Sequence, residues 1–296
     1  ALNYSGAHPV SRLQILDPEL LSPPGSSDSI EASLFGFSVL KAADMAAMSR
    51  PAVAFTLAVR NRGTSAVNVS LMFNIPFAVE VDQAREGAPL HGRGDMTAPT
   101  AEACAAECAS NAECKSWQWN ATSRACQLQA TAGLNGYARG ITGGIPGSFS
   151  TSEAERCLTL HRPGPGPMHG NVSVCASGPG WRTAVADDPS ANYRALMTGG
   201  ATGASLKTSA YGAVAVSGVA LPNQTLTLTL TLGWRFPNRD HFSWRWNGVD
   251  PAPTQYGNQY AEYYRSAPEA AWANEPDMET ALVDVLADTA AVHNPL

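Results

Sequence analysis

Charge is scarce in this 296-residue chain: only 15% of residues are Asp, Glu, Lys or Arg, and basic residues nowhere form a run. The balance of 19 Lys+Arg against 25 Asp+Glu gives a net charge of −6. That is the opposite of the basic footprint with which proteins hold nucleic acids, so no nucleic-acid partner is expected. No apolar stretch approaches the roughly 20 residues needed to cross a bilayer, so no membrane span is expected. G-x-S-x-G and P-loop motifs are missing, which removes the sequence anchors for serine-hydrolase and nucleotide readings. H-x-H, H-E-x-x-H and C-x-x-C are missing too. The histidines (His8, His91, His161, His169, His241 and His293) are scattered, so neither a metal site nor a cofactor is expected. There is no internal repeat, and the one biased tract is Pro163-Gly164-Pro165-Gly166-Pro167, a loop. Ala1 is neither an initiator Met nor the start of a signal peptide, so the sequence reads as a processed or partial chain.

What is present is mostly alternation. Val53, Phe55, Leu57 and Val59 recur every second residue, followed by Asn61-Arg62-Gly63-Thr64 and then Val67, Val69, Leu71 and Phe73. The pattern predicts a β-hairpin with one buried face. Leu226, Leu228, Leu230 and Leu232 alternate with Thr225, Thr227, Thr229 and Thr231, which predicts a strand with leucines inward and threonines in water. Ser11 to Leu16, Ile30 to Leu40, Val172 to Val174 and Tyr211 to Val219 are further strand candidates. Such strands, separated by Gly/Pro/Asn/Ser turns, predict a mainly β chain built as an antiparallel sandwich. The length suits one large domain or two modest ones.

Two segments break the rhythm. Thr100 to Cys114 reads TAEACAAECASNAEC; it is Ala-rich, follows Pro99 and has Thr100 as an N-cap. Cys104 and Cys108 stand four residues apart, on one face of the short helix this predicts. After Pro276, Leu282, Val285, Leu286 and Val292 recur at helical spacing. Because this stripe has no obvious partner, a further domain beyond Leu296 is expected.

The six cysteines are Cys104, Cys108, Cys114, Cys126, Cys157 and Cys175, an even number that suits an oxidised chain. Asn-x-Ser/Thr sequons stand at Asn3, Asn68, Asn120, Asn171 and Asn223; composition alone predicts roughly two. Asn68 and Ser70 alternate with the apolar Val67, Val69 and Leu71, so Asn68 is offered the solvent face an N-glycan needs. Together these features place the chain as secreted, extracellular or on the cell surface.

The spacing Cys104-x3-Cys108-x5-Cys114-x11-Cys126, closing on Cys126-Gln127-Leu128-Gln129, resembles a PAN/apple module. The resemblance implies a short helix stapled to a small sheet, with Cys104 paired to Cys126 and Cys108 to Cys114. It also places Trp117 and Trp119 on the strand after the third cysteine and Gly136 to Gly140 on the exit strand. The outermost cysteine pair of full apple domains is absent. A staple is physically apt, because so short a segment buries too little to fold alone. A zinc site is the weaker alternative, since no His lies near the cluster. Cys157 and Cys175 remain, and are expected to pair with each other.

The segments Ser49 to Phe55, Val59 to Gly63 and Val67 to Phe73, with Leu230 to Asp240 and Tyr256 to Trp272, resemble the N-terminal domain of glycoside hydrolase family 116. Non-lysosomal glucosylceramidases and related β-glucosidases belong to that family. The resemblance implies a sandwich that scaffolds an (α/α)6 barrel carrying a catalytic Glu nucleophile and Asp acid. No residue here matches either one, so no catalytic residue is assigned. The expected organisation is a sandwich over 1–90 and 141–265, a PAN-like insertion over 91–140, and a helical linker over 266–296. The expected partner is a catalytic barrel of the same parent protein or another extracellular chain, with a glycan as a further candidate. As an alternative, the chain is a non-catalytic extracellular protein that binds carbohydrate or protein through these same modules.

The densest aromatic run holds Trp234, Phe236, Phe242, Trp244, Trp246, Tyr256, Tyr260, Tyr263 and Tyr264. Trp234, Trp244, Trp246 and Tyr260 are candidates for stacking on sugar or for a domain interface; the interface is favoured. Arg93-Gly94-Asp95 is an adhesion-like tripeptide too short to carry a function. Asp187, Asp188 and Asp240 are read as surface carboxylates.

Overall fold

The computed structural model describes residues 2–7, 10–15, 30–38, 44–76, 80–85, 88–90, 96–131, 135–144, 147–162, 170–177, 180–186, 189–198, 211–239 and 256–272. Strands dominate, in chain order: β1 (Leu2–Ala7), β2 (Val10–Ile15), β3 (Ile30–Phe37), β4 (Ala52–Asn61), β5 (Val67–Pro76), β6 (Glu80–Arg85), β7 (Met96–Thr97), β8 (Ser116–Asn120) and β9 (Ala125–Gln129). They continue as β10 (Asn135–Gly144), β11 (Ser148–Ser152), β12 (Cys157–Arg162), β13 (Gly170–Ser177), β14 (Arg182–Ala186), β15 (Tyr211–Ala220), β16 (Thr225–Arg235), β17 (Asn238–Arg239) and β18 (Tyr256–Gly257). The helices are short: α1 (Met45–Met48), α2 (Ala101–Ser110), α3 (Pro189–Thr198), α4 (Tyr260–Tyr263) and α5 (Ala267–Trp272).

The strands form an antiparallel β-sandwich. One layer is an eight-stranded sheet ordered β1-β2-β3-β4-β16-β13-β12-β11; the other is three-stranded, β14-β15-β5. Between them lie Leu158, Leu160, Val174, Leu228 and Leu230 from the large sheet and Ile75, Val214 and Val216 from the small one, all nearly inaccessible. The layers approach so closely that a Cβ on Gly212 would stand 2.6 Å from both Leu158 Cδ2 and Phe149 Cε1.

The expected hairpin at residues 53–73 is corrected: both strands form, but they do not pair. β4 pairs with β3 and β16 in the large sheet, whereas β5 pairs with β15 in the small one. The connection is an arch between layers, and β15 to β16 makes a second arch beside it. Asn61 explains the choice. Fully buried, it donates Nδ2 to Ser65 O at 2.8 Å and to Ala220 O at 2.9 Å, and its Oδ1 accepts from Gly63 N at 2.9 Å. One amide thus folds its own arch and ties it to the other, satisfying groups that would be costly to bury unpaired.

A second correction concerns the threonine face of β16. Thr225 and Thr227 are exposed, but Thr229 and Thr231 are buried. Small residues line that face, with Gly233 on β16 itself and Ala52, Ala54 and Ser173 in adjacent strands, and α5 lies on it through Ala267, Ala270 and Ala271. A Cβ on Gly233 would stand 2.6 Å from Ala267 O and 2.8 Å from Ala271 Cβ. The hydroxyls left under cover pair across strands: Thr56 with Thr229 at 3.0 Å and Thr159 with Ser173 at 2.8 Å. Helix α3 covers the outer face of the small sheet in the same way, packing Leu196 on Ala184, Ala213 and Ala215.

Inserted between β5 and β11 is a module of five strands, β6-β10-β8-β9-β7, with α2 against one face. Its first and last strands are neighbours, Glu80 pairing with Gly143. Its sheet therefore runs from Glu80 to Gly144, beyond the 91–140 span suggested by the cysteines. The helical stripe after Pro276 and the loop at 163–167 lie outside the described residues.

Candidate functional site

The inserted module is built by its cysteines and tryptophans. Thr100 Oγ1 accepts from Ala103 N at 3.2 Å and starts α2. Cys104 and Cys108, both wholly buried, leave the same helix face. Cys104 joins Cys126 on β9, and Cys108 joins Cys114 just before β8. Trp117 is wholly buried beside Leu128 on the sheet face under the helix, while Trp119, on the same face, donates Nε1 to Ala98 O at 2.9 Å.

Alternation sends the intervening side chains to the other face, where no helix packs among the described residues. Gln118 stands opposite Gln127, and Gln118 Nε2 donates to Gln127 Oε1. Asn120 Oδ1 accepts from Thr122 N at 2.9 Å and Ser123 N at 3.0 Å, fixing the β8–β9 turn. Arg124 closes that turn at a φ of 57°. Gln118, Asn120, Ser123, Ala125, Gln127 and Ile141 line a cavity of about 350 Å³. Its walls hold amides and a hydroxyl, with no charged side chain. Such a surface both donates and accepts hydrogen bonds. It suits uncharged polar ligands such as sugar hydroxyls or peptide groups, and offers no carboxylate for acid–base work.

A second constellation crosses three strands of the large sheet. Asn171 Oδ1 is 3.1 Å from His161 Nδ1, and His161 Nε2 is 2.6 Å from Ser150 Oγ. The order resembles a nucleophile, a base and an orienting group. However, an amide in the third place cannot stabilise an imidazolium as a carboxylate does. The row therefore reads as a cross-strand polar ladder.

The other sequence candidates are dispersed. Cys157 and Cys175 face each other across β12 and β13 as a disulfide, covered by Ala271 of α5. Trp234 is half-buried at the end of β16, and Tyr260 is spent on backbone: its hydroxyl donates to Phe236 O at 2.9 Å and accepts from Phe236 N at 3.0 Å. Nearby, Arg50 lies 5.6 Å from the Tyr264 ring and donates to its hydroxyl, and Arg235 donates to Tyr264 O. Trp244, Trp246, Asp187, Asp188, Asp240 and residues 93–95 lie outside the described residues, as do all the histidines except His161. Asn3, Asn68 and Asn223 are exposed, and Asn120 and Asn171 half-buried. Among the described residues no group of three or more His, Cys, Asp or Glu could hold a metal, and no helix is long and apolar enough to cross a membrane.

Sequence reasoning passed over the amide face, although its signal is there: Ser116, Gln118 and Asn120 alternate with Trp117 and Trp119, and Gln127 and Gln129 alternate with Cys126 and Leu128. The Ser150–His161–Asn171 row had no local signal, since three separate strands supply it.

Comparison with curated proteins returns no significant match. Among solved structures the chain is similar to a candidate aldose 1-epimerase from Escherichia coli K12, with 10% identity over 79% of this chain and 68% of that one, at a TM-score of 0.34. A galactose mutarotase-like protein from Lactobacillus casei gives 9% identity, 79% and 73% coverage, and a TM-score of 0.32. A candidate kojibiose phosphorylase from the human microbiome gives 4% identity and a TM-score of 0.27, covering 76% of this chain but 17% of that one. Residues 84–157, which span α2, the amide face and five of the six cysteines, match the PAN domain model, and this match and the disulfides fit an extracellular protein.

Proposed function

We propose that the chain is an extracellular binding region in which the amide face of the PAN module takes an uncharged polar ligand, a glycan foremost, while the sandwich serves as its platform. The observation that carries this reading is the cavity lined by Gln118, Asn120, Ser123 and Gln127 on the module's uncovered face. PAN modules commonly make protein or carbohydrate contacts, which supports the same reading. The test is a glycan array probed with the intact chain and with the Gln118→Ala/Gln127→Ala pair. Retention of a defined glycan class by the first and its loss in the second is expected. An array that stays blank, or retention unchanged in the pair, overturns the glycan assignment.

A narrower reading rests on the segments that resemble glycoside hydrolase family 116, which form β4, β5, β16 and the α4–α5 region. On it, the sandwich is the non-catalytic N-terminal region of a secreted β-glucosidase or glucosylceramidase. The two catalytic carboxyls would then belong to a barrel that these 296 residues do not supply, about 5–5.5 Å apart as a retaining mechanism requires. The mass of the native polypeptide, reduced and deglycosylated, tests it. A mass well above 31.0 kDa, with β-glucosidase activity in the full protein and none in residues 1–296, is expected. A native product at 31.0 kDa overturns it.

A further inference from the structure

Strand register sorts the sandwich's sequons into two groups. The arches at 61–67 and 220–225 define one pole of the sandwich. Asn223 lies within an arch, with φ of 60° and an exposed side chain. Asn68 is the second residue of β5, paired with Val219 one residue before the arch. Asn3 pairs with Gln14, which continues across the sheet through Ser33, Ala58 and Thr227, again within a few residues of the arches. All three asparagines are exposed, as are the hydroxyl residues Ser5, Ser70 and Thr225 that complete their sequons.

Asn171 lies at the other pole. It pairs with Arg235, ten residues along β16 from Thr225, or roughly 33 Å at strand rise. Neither of its recognition groups is open. The Asn171 amide oxygen is engaged by His161, and the Ser173 hydroxyl is wholly buried against Thr159. The PAN module joins the sandwich at this same pole, through Pro76 of β5 and Ser148 of β11, the latter opposite His161. Asn120 belongs to the PAN cavity and stands outside the division.

We infer that N-glycans sheath the arch pole through Asn3, Asn68 and Asn223 and that Asn171 stays bare, so that the sandwich itself carries no N-glycan at the pole where the PAN module joins it. The inference rests on the extracellular reading, because N-glycosylation requires the secretory route. A glycan added to Asn171 would have to be housed on a half-buried row between two strands. Copies so modified would fold poorly and be depleted from the secreted pool.

The test secretes the whole chain from a eukaryotic host behind an added leader and maps each site by glycopeptide mass spectrometry, with single Asn→Gln variants. Asn3→Gln, Asn68→Gln and Asn223→Gln should each remove one glycan, and Asn171→Gln none. The inference is overturned if Asn171→Gln removes a glycan, or if two of the three arch variants remove none. Mapping the chain from its native source separates this outcome from the compartment. Native material with no glycan, beside recombinant material glycosylated at Asn3, Asn68 and Asn223 and bare at Asn171, would sink the extracellular reading and leave the division of the surface standing.

Discussion

The sandwich and the PAN module solve the same problem at different scales. The sandwich closes its core with area: eleven strands in two layers bury the leucine faces of β12 and β16 against the valines of β15. The module has five strands and one ten-residue helix, and it concentrates its cohesion in Trp117 and two disulfides. A small unit has too much surface for its volume to do otherwise. The contrast extends to how each leaves a face open. In the sandwich, short helices cover the outer faces over Ala, Gly and Ser. In the module, the face away from α2 keeps the amides of Gln118, Asn120 and Gln127 half-buried around a cavity.

Five changes test that contrast, in order of decreasing effect. Trp117→Ala empties the centre of the module and should cost about 3–5 kcal/mol. Protease cleavage confined to residues 88–131 is the readout, and cleavage spread through the sandwich would show that the two units share one stability. Cys104→Ser/Cys126→Ser releases a loop of sequence separation 22, worth about 3 kcal/mol in the chain-entropy model. The same local opening should be visible by hydrogen exchange, and uniform exchange across the chain would count against it. Asn61→Ala strips three hydrogen bonds from the paired arches, for about 2–3 kcal/mol, and here the sandwich should loosen first. Gly233→Ala drives a methyl against α5, at about 1–3 kcal/mol. Faster exchange of the amides of 267–271 should report it. Last, Gln118→Ala/Gln127→Ala should move the melting transition little, within about 0.5 kcal/mol for a surface change, while abolishing ligand retention.

Much of this was legible in residue order. Period-two alternation located β4, β5, β15 and β16, because a strand at a layer boundary has to separate its faces. The sequence TAEACAAECAS located α2, because the cap and the four-residue cysteine spacing are local. What alternation cannot show is a strand's partner. Asn61-Arg62-Gly63-Thr64 has the composition of a hairpin turn, and only Ala220, 159 residues away, reveals that Asn61 binds an arch. The buried Thr229 and Thr231 were illegible for a related reason: their cover comes from α5, and threonine serves a wet face or a hydroxyl-paired dry one equally well. The amide face was legible in pattern but not in meaning, since a polar alternation announces exposure and says nothing of concavity.

The pairing of Glu80 with Gly143 has a consequence for how the module is carried. The chain goes out to the module and comes back on adjacent strands, so its two leads lie side by side, and one hydrophobic cluster includes both Trp117 and Leu128 of the module and Leu158 and Val214 of the sandwich. Replacing the module would therefore mean matching two things, a pair of adjacent leads and the apolar side chains that continue the sandwich core. The architecture is therefore that of a fitted plug between β5 and β11, held by an apolar contact as well as by its leads.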